Sequence, residues 1–413
     1  MLTRMFFFIA FFLLLDFYLF TSISPVFNKG SFSNKIFNIT YWVISAIIYS
    51  IIIFVFINFN KRTPSVHFNN EILISSFMFI VFISKFFALI PLVVDDILRI
   101  FRFIGQFIVT DLKRENIFDI DRLKFLKKTS LFIGSTFFIT MLGGILFGRY
   151  NFKTKNINLK LENWSSKLKD FKIVQISDLH LGSFSSVKKL EEVVEIINNE
   201  KADLVVFTGD LVNNFHNEAL PYISTLKKIK SNYGNYSVLG NHDYCDYVGW
   251  KRSSKKWKDN FNEMLEVHKK MGFNLLLNSS KEIEIEDEKI NLVGVENWGA
   301  GNFNKDGDLK KAMFEVNEEY PTILLSHDPS HWSAQVLDFQ KRIDLQLSGH
   351  THGMQFGIDI PGFKWSPVQW RYKQWSGLYE NSKKFIYVNT GVGNLAYAGR
   401  VGIMPEITVL KIS

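Results

Sequence analysis

Five short blocks hold the side chains best suited to chemistry: Asp178-Leu179-His180, Gly209-Asp210, Gly240-Asn241-His242-Asp243, His327, and Gly349-His350-Thr351-His352. Each follows a short apolar run that reads as a buried strand. Five of the nine histidines fall within these blocks. Carboxylates, imidazoles and a carboxamide make a ligand set suited to manganese, iron or zinc rather than to calcium or magnesium alone. Two divalent cations about 3.5–4 Å apart also need a carboxylate able to bridge them. Glycine ahead of a ligand lets the backbone turn sharply off its strand and approach a metal closely. A lone Asp-x-His or Gly-Asp is common, whereas Gly-Asn-His-Asp and Gly-His-Thr-His are far more specific. A purely structural role does not account for all five in this order.

The elements that must position these residues follow from periodicity. Apolar runs at 172–176, 203–207, 237–239, 292–295, 322–325, 344–347 and 385–388 read as strands, and 187–198 has apolar residues at helical spacing. Strands alternating with helices argue for an α/β domain whose functional residues sit at strand ends.

These blocks resemble those of the calcineurin-like metallophosphoesterase superfamily, over about 172–412. Ile176-Ser177-Asp178-Leu179-His180-Leu181-Gly182 and the tail Asn389-Thr390-Gly391-Val392-Gly393 with Pro405-Glu406-Ile407 look like its membrane-associated phosphodiesterase branch, which includes relatives acting on UDP-diacylglucosamine. The resemblance implies two mixed β-sheets sandwiched between helices. It implies one metal on Asp178, His180, Asp210 and His352, and a second on Asp210, Asn241, His327 and His350, with Asp210 bridging. His242 is then the residue that stabilises the transition-state phosphoryl oxygens or protonates the leaving group, and Asp243 the carboxylate that orients it. Two divalent ions, of identity Mn, Fe or Zn, are the implied cofactors. The implied reaction is attack on phosphorus by a metal-activated hydroxide, without a phosphoenzyme.

Ahead of this domain the composition changes. Most of the 41 phenylalanines among the 413 residues lie before residue 150. Residues 5–23, 36–59, 72–94 and 130–147 are each apolar over about the 20 residues that a bilayer-crossing helix needs. The expected organisation is therefore a four-helix transmembrane region (1–148), a linker with a first strand (149–170) and the phosphoesterase domain (171–413). The first span has only Arg4 as a charged leader and no small-residue cleavage site, so it reads as a retained helix rather than a signal peptide. Asp16 and Lys85 lie within spans, where an interhelical pair, or Lys85 snorkelling along its helix, is the expected arrangement. Gly144 and Gly148 have the spacing of a close helix contact.

Topology follows from the basic residues Arg99, Arg102, Lys113, Arg114, Arg122, Lys124, Lys127 and Lys128 between the third and fourth spans. Basic loops stay in the cytoplasm, which puts the catalytic domain on the extracytoplasmic side. Segment 122–128 with the span after it also resembles a degenerate twin-arginine leader, with lysine replacing the second arginine. Arg149, Lys153, Lys155 and Lys160 on the far side argue the other way.

Among weaker signals, 363–379 carries three tryptophans with Lys364, Arg371 and Lys373, and reads either as a lip touching lipid or as a packed loop. Segment 244–259 reads as an insertion shaping the pocket. Arg400 is a candidate substrate-phosphate ligand. His216, His268 and His331 have no motif around them and read as structural. The single cysteine, Cys245, excludes an intrachain disulfide. The net charge of +8 is largely juxtamembrane, so no nucleic-acid partner is expected, nor an obligate protein partner. The expected partners are membrane lipids and a phosphodiester substrate, lipid-borne or nucleotide-lipid. A nuclease of the same fold and a non-catalytic membrane receptor or scaffold are the alternatives.

Overall fold

The computed structural model describes residues 2–27, 30–58, 68–108, 120–162 and 164–413. The chain divides into two compact units, Met1–Thr63 with Ile74–Leu142, and Pro64–Leu73 with Gly143–Ser413.

The first unit holds helices α1 (Leu2–Ile23) and α2 (Phe32–Asn58), α3 (Phe68–Ile108) from Ile74 on, and α4 (Ile120–Gly143) up to Leu142. All four are long and apolar enough to cross a membrane. Helix α3 runs 41 residues, well past the expected end of its span. Its continuation past residue 94 carries ion pairs at helical spacing: Arg99 pairs with Asp95 and Asp96, and Arg122 of α4 joins Asp95. Arg99 and Arg102 therefore lie on a helix rather than in a loop, while Lys113 and Arg114 lie outside the described residues. Lys85 meets Asp16 at 2.9 Å, as expected of two charges within spans. Tyr49 and Tyr41 donate to the same carboxylate, and Lys85 also donates to Ser45.

The second unit is an α/β sandwich. One sheet has the order β1 (Lys153–Leu159), β14 (Glu406–Ile412), β2 (Phe171–Ile176), β3 (Leu204–Phe207), β4 (Asn235–Ser237), β5 (Asn274–Leu275). The other runs β12 (Gly377–Asn381), β13 (Lys384–Val388), β9 (Leu345–Ser348), β8 (Thr322–Leu325), β7 (Glu288–Gly294), β6 (Ser279–Ile285). A two-stranded ribbon, β10 (Ile358–Ile360) with β11 (Phe363–Trp365), stands apart from both sheets. Strands β2, β3, β4 and β5 are mutually parallel, as are β7, β8, β9 and β13. Antiparallel β14, β6 and β12 make both sheets mixed.

Alternation along each strand builds the layers. Phe171 and Ile173 of β2 join Leu204, Leu292, Leu325 and Leu345 between the sheets. Val174 and Ile176 face outward against Leu190 and Val194 of α5 (Val187–Asn199) and Met264 of α6 (Lys255–Lys270). Gln175 shares the inner face, buried, and its Nε2 spans both sheets by donating to Thr208 Oγ1 and to the Ser348 carbonyl. That crosslink lies where β2, β3 and β9 end, which is where the five blocks begin.

Candidate metal centre

The loops after β2, β3, β4, β8 and β9 converge at one edge of the sandwich, and the structure brings seven of the expected residues together there. Asp178, His180 and His352 form one group and Asp210, His327 and His350 another, each with ligand atoms within 4.8 Å of one another. In the first, His180 Nε2 lies 3.0 Å from His352 Nε2, and His352 Nε2 lies 3.3 Å from Asp178 Oδ1. In the second, Asn241 Oδ1 lies 3.1 Å from His327 Nε2 and 2.8 Å from His350 Nδ1. Asp210 belongs to both, since its Oδ2 is 3.6 Å from His180 Nε2 and 3.2 Å from His327 Nε2.

Backbone geometry makes the convergence possible. Asp178, His180, Asp210, His350 and His352 all have positive φ, a conformation that costs an ordinary residue on the order of 1–3 kcal/mol. Close approach demands glycine at two neighbouring points. A Cβ on Gly349 would stand 1.9 Å from Ser177 Oγ, and one on Gly209 (φ +97) would meet the Gly240 amide nitrogen at 2.5 Å.

Supporting contacts orient the rings. The Val212 carbonyl accepts from His180 Nδ1 and the Thr208 carbonyl from His327 Nδ1, at 3.2 and 2.7 Å. Carbonyls only accept, so each Nδ1 carries a proton and each Nε2 is the ring atom turned inward. Burial drives His180 down to about 3 and His352 well below its ordinary range, so these imidazoles are neutral. Burial likewise pushes the Asp178 carboxyl up to about 6. His327 goes the other way: burial opposes its charge, yet the Asp210 carboxylate lifts it to about 10. The pocket thus gathers imidazole nitrogens, a carboxamide oxygen and buried carboxylates within a few ångströms of one another. This donor set fits a pair of borderline divalent cations.

Two expectations are corrected. Asp243 does not pair with the His242 ring; its buried carboxylate accepts from the amides of Gly240, Asp210, Leu211 and Val212. It therefore fixes the Gly209-Asp210 turn instead. Orientation of His242 comes from the Asn213 carbonyl, 2.7 Å from Nδ1. His242 itself sits at the rim, half-buried, with its ring edge-on to His180 at 4.9 Å. Arg400 is only 1% exposed, turned into the fold rather than toward a position for substrate phosphate. Its guanidinium donates to the carbonyls of Thr390, Gly391 and Gly393 and faces His352 Nδ1 at 3.4 Å. A buried guanidinium needs such acceptors, and here they brace the loop beneath His352.

Four residues escaped the sequence reading: Asn213, Asp328, Tyr247 and Tyr372. Tyr372 Oη lies 2.8 Å from His350 Nε2, and Asn241 Nδ2 donates to Tyr247 Oη at 2.7 Å. Asp328 Oδ2 is buried 3.6 Å from His350 Nε2 and has no hydrogen-bond partner. Asp328 is adjacent to His327 in sequence, the one signal available; the others arrive by folding. Tyr247 and Asn241 also line a cavity of about 230 Å³ with Asn302 and Phe303, so 244–259 does border the site. His216, His268 and His331 bond to Asn260, Ser237 and Ser326, away from both groups. Cys245 is buried, and burial pushes its thiol up to about 12.

Comparison with known proteins agrees with this geometry. Residues 3–149 match the family described as "Probable Calcineurin-like phosphoesterase, transmembrane domain", and residues 171–354 match "Calcineurin-like phosphoesterase". The chain is 31% identical over 251 residues to "Uncharacterized metallophosphoesterase YkuE" of Bacillus subtilis, covering 59% of this chain and 79% of that protein. It is also 31% identical over 271 residues to "Transmembrane protein with metallophosphoesterase domain" of Danio rerio, covering 63% of this chain and 57% of the fish protein. A metallophosphoesterase of Helicobacter pylori is 29% identical over 303 residues, covering 71% of this chain and 75% of that one. With a transmembrane family and a phosphoesterase family matched in tandem, this chain is a membrane protein and belongs to the calcineurin-like phosphoesterases, a family of phosphoric-ester hydrolases that use divalent metals.

Proposed function

We propose that this protein hydrolyses a phosphodiester carried by a lipid, at the extracytoplasmic face of the membrane that anchors it. The observation that carries the reading is the position of Asp210 Oδ2, within 3.6 Å of imidazoles from both donor groups. In this reading Asp178, His180, Asp210 and His352 hold one ion, and Asp210, Asn241, His327 and His350 the other. When bound, the two ions would supply Lewis acidity toward phosphoryl oxygens and lower the pKa of water toward neutrality.

The chain's own residues do the rest. With Nδ1 committed to the Asn213 carbonyl, only Nε2 of His242 is free to meet substrate. A neutral His242 ring can only accept there, so its role toward the leaving oxygen requires the protonated ring. Tyr372 and Asp328 hold His350 from the side opposite Nδ1. Asp243 keeps the Asp210 turn in its strained conformation.

Anchoring favours a substrate in the bilayer, because it raises the local concentration of a lipid ester. The basic residues between the third and fourth spans support a cytoplasmic loop and an external hydrolase. An external hydrolase in turn makes a cytoplasmic nucleotide-lipid a poor substrate. The test uses full-length protein in vesicles with manganese. Hydrolysis of a chromogenic phosphodiester, and faster hydrolysis of a phosphodiester lipid than of its water-soluble headgroup analogue, is expected. Equal rates on both would sink the lipid assignment. Reporter fusions at residue 150 and at the C-terminus should report outside, and a cytoplasmic signal would reverse the topology.

A further inference from the structure

The ribbon of β10 and β11 is built inside out. Its register pairs Ile358 with Trp365, Asp359 with Lys364 and Ile360 with Phe363, so the polar pair occupies one face and the apolar pairs the other. The polar face is turned to the domain: Asp359 accepts from Lys155 at 2.7 Å, and Lys364 donates to the Ser376 carbonyl at 2.8 Å. The apolar face is left open, with Ile358, Ile360 and Phe363 exposed by 42%, 58% and 53%. Trp370, 78% exposed, extends the same patch by an edge-to-face contact with Trp365. A sheet with one solvated face normally puts its apolar side chains inward and its polar ones outward. The reverse arrangement calls for an apolar surrounding.

The identity of that surrounding is indicated by what the ribbon is attached to. The Gly357 amide, at its base, donates to the Val401 carbonyl, and Gly402 approaches Gly357 so closely that a Cβ would stand 1.8 Å from its carbonyl oxygen. Val401 and Arg400 pack on Gly144 and Gly148, the last turn of the fourth candidate span. The Gly144/Gly148 spacing therefore receives the 397–401 loop. On that same turn Leu146 and Phe147 are exposed by 64% and 78%. The open face of the ribbon is thus tied, through one loop, to the end of a candidate membrane span whose own apolar side chains are exposed.

We propose that the ribbon face formed by Ile358, Ile360, Phe363 and Trp370 lies in the interfacial layer of the bilayer that anchors the chain. Indole and phenyl rings favour that layer, and the aliphatic residues favour the acyl boundary beneath it. The contact seats the His352–Gln355 turn, which leads into the ribbon and bears a candidate ligand, beside the membrane surface. It does not depend on which phosphoester is cleaved.

Nitroxide labels on single cysteines test this in full-length protein reconstituted in phospholipid nanodiscs. Cys245 is buried, so labelling is confined to the introduced site. Ile360→Cys, Phe363→Cys and Trp370→Cys are compared with Phe314→Cys, an exposed position beside the other sheet's outer core. Collision with oxygen relative to a water-soluble nickel chelate should be several-fold higher at the three ribbon positions than at 314. Ratios equal to that of position 314 would overturn the proposal, as would labels shielded from both quenchers, which signal a protein partner. If a label distorts the ribbon, Trp370→Phe serves instead. It should remove part of the fluorescence quenched by brominated lipid, and an unchanged quenched fraction overturns the proposal equally.

Discussion

The helical unit and the hydrolase unit each bury ionisable groups, and they do so in opposite ways. Among the helices, Asp16 meets Lys85 at 2.9 Å and takes hydrogen bonds from Tyr41 and Tyr49. Charge is cancelled there and the carboxylate's acceptors are filled. In the hydrolase unit, Asp178 and Asp210 sit among buried imidazoles whose ring nitrogens crowd together, as with His180 Nε2 and His352 Nε2 at 3.0 Å. Backbone conformation differs in the same direction. The ligand loops hold five non-glycine residues at positive φ, whereas Asp16 and Lys85 lie in regular helix. A closed cluster needs nothing further, and an open, strained one is poised for a ligand.

Removing the shared carboxylate should have the largest effect. Asp210→Asn takes a ligand from both groups, so metal content measured by mass spectrometry should fall from two ions toward none. Hydrolysis should fall by more than the roughly 100-fold typical of losing a supporting partner. Two tightly held ions in that variant would break the contrast drawn above. His242→Ala comes next: general acid–base groups contribute about 10²–10⁴-fold, and turnover should drop within that range while both ions stay bound. Loss of metal would show that His242 is a ligand after all.

The ligand set was legible because each member follows a buried strand and sits in a short, specific block. What remained hidden depends on tertiary placement. Tyr372 reaches His350 from 22 residues away, and Asn213 reaches His242 from 29. Arg400 was misread because a tail motif shows proximity to the site but not burial, and the same blindness attached Asp243 to the neighbouring ring rather than to the turn after β3. Helix α3 runs past residue 94 because Asp95, Asp96 and Arg99 satisfy one another at helical spacing, and the residues after them are again largely apolar. Hydropathy marks where a helix crosses lipid and is silent on where it stops. The aromatic segment 363–379 read equally as lip or core, and it divides between them: Trp370 is exposed and Trp375 buried.

Breaking the closed cluster should damage stability rather than chemistry. Lys85→Met leaves Asp16 buried without its cation, a defect worth about 3–5 kcal/mol for a buried pair. The protein should denature at lower detergent stress while the hydrolysis rate per folded molecule holds. Arg400→Lys is milder and acts on the open cluster. Lysine cannot span the carbonyls of Thr390, Gly391 and Gly393 together, so the loop under His352 loosens. Affinity for the ion at Asp178, His180 and His352 should weaken by about 10–100-fold, with the other ion retained. Equal loss of both would make Arg400 a general structural prop.

The smallest expected effect is the most discriminating. Removing both partners of a buried ion pair, unlike removing one, is often neutral, because the desolvation penalty goes with the charges. Asp16→Leu combined with Lys85→Met should therefore recover most of the stability that Lys85→Met loses. The recovery will be incomplete, since Tyr41, Tyr49 and Ser45 each lose a partner, at about 0.6 kcal/mol for an average hydrogen bond within a membrane bundle. An analogous apolar replacement at Asp178 and His352 should rescue nothing, because those groups are not each other's counter-charge. If the Asp16/Lys85 double variant instead abolished hydrolysis while folding normally, the intramembrane pair would have to be counted with the functional residues.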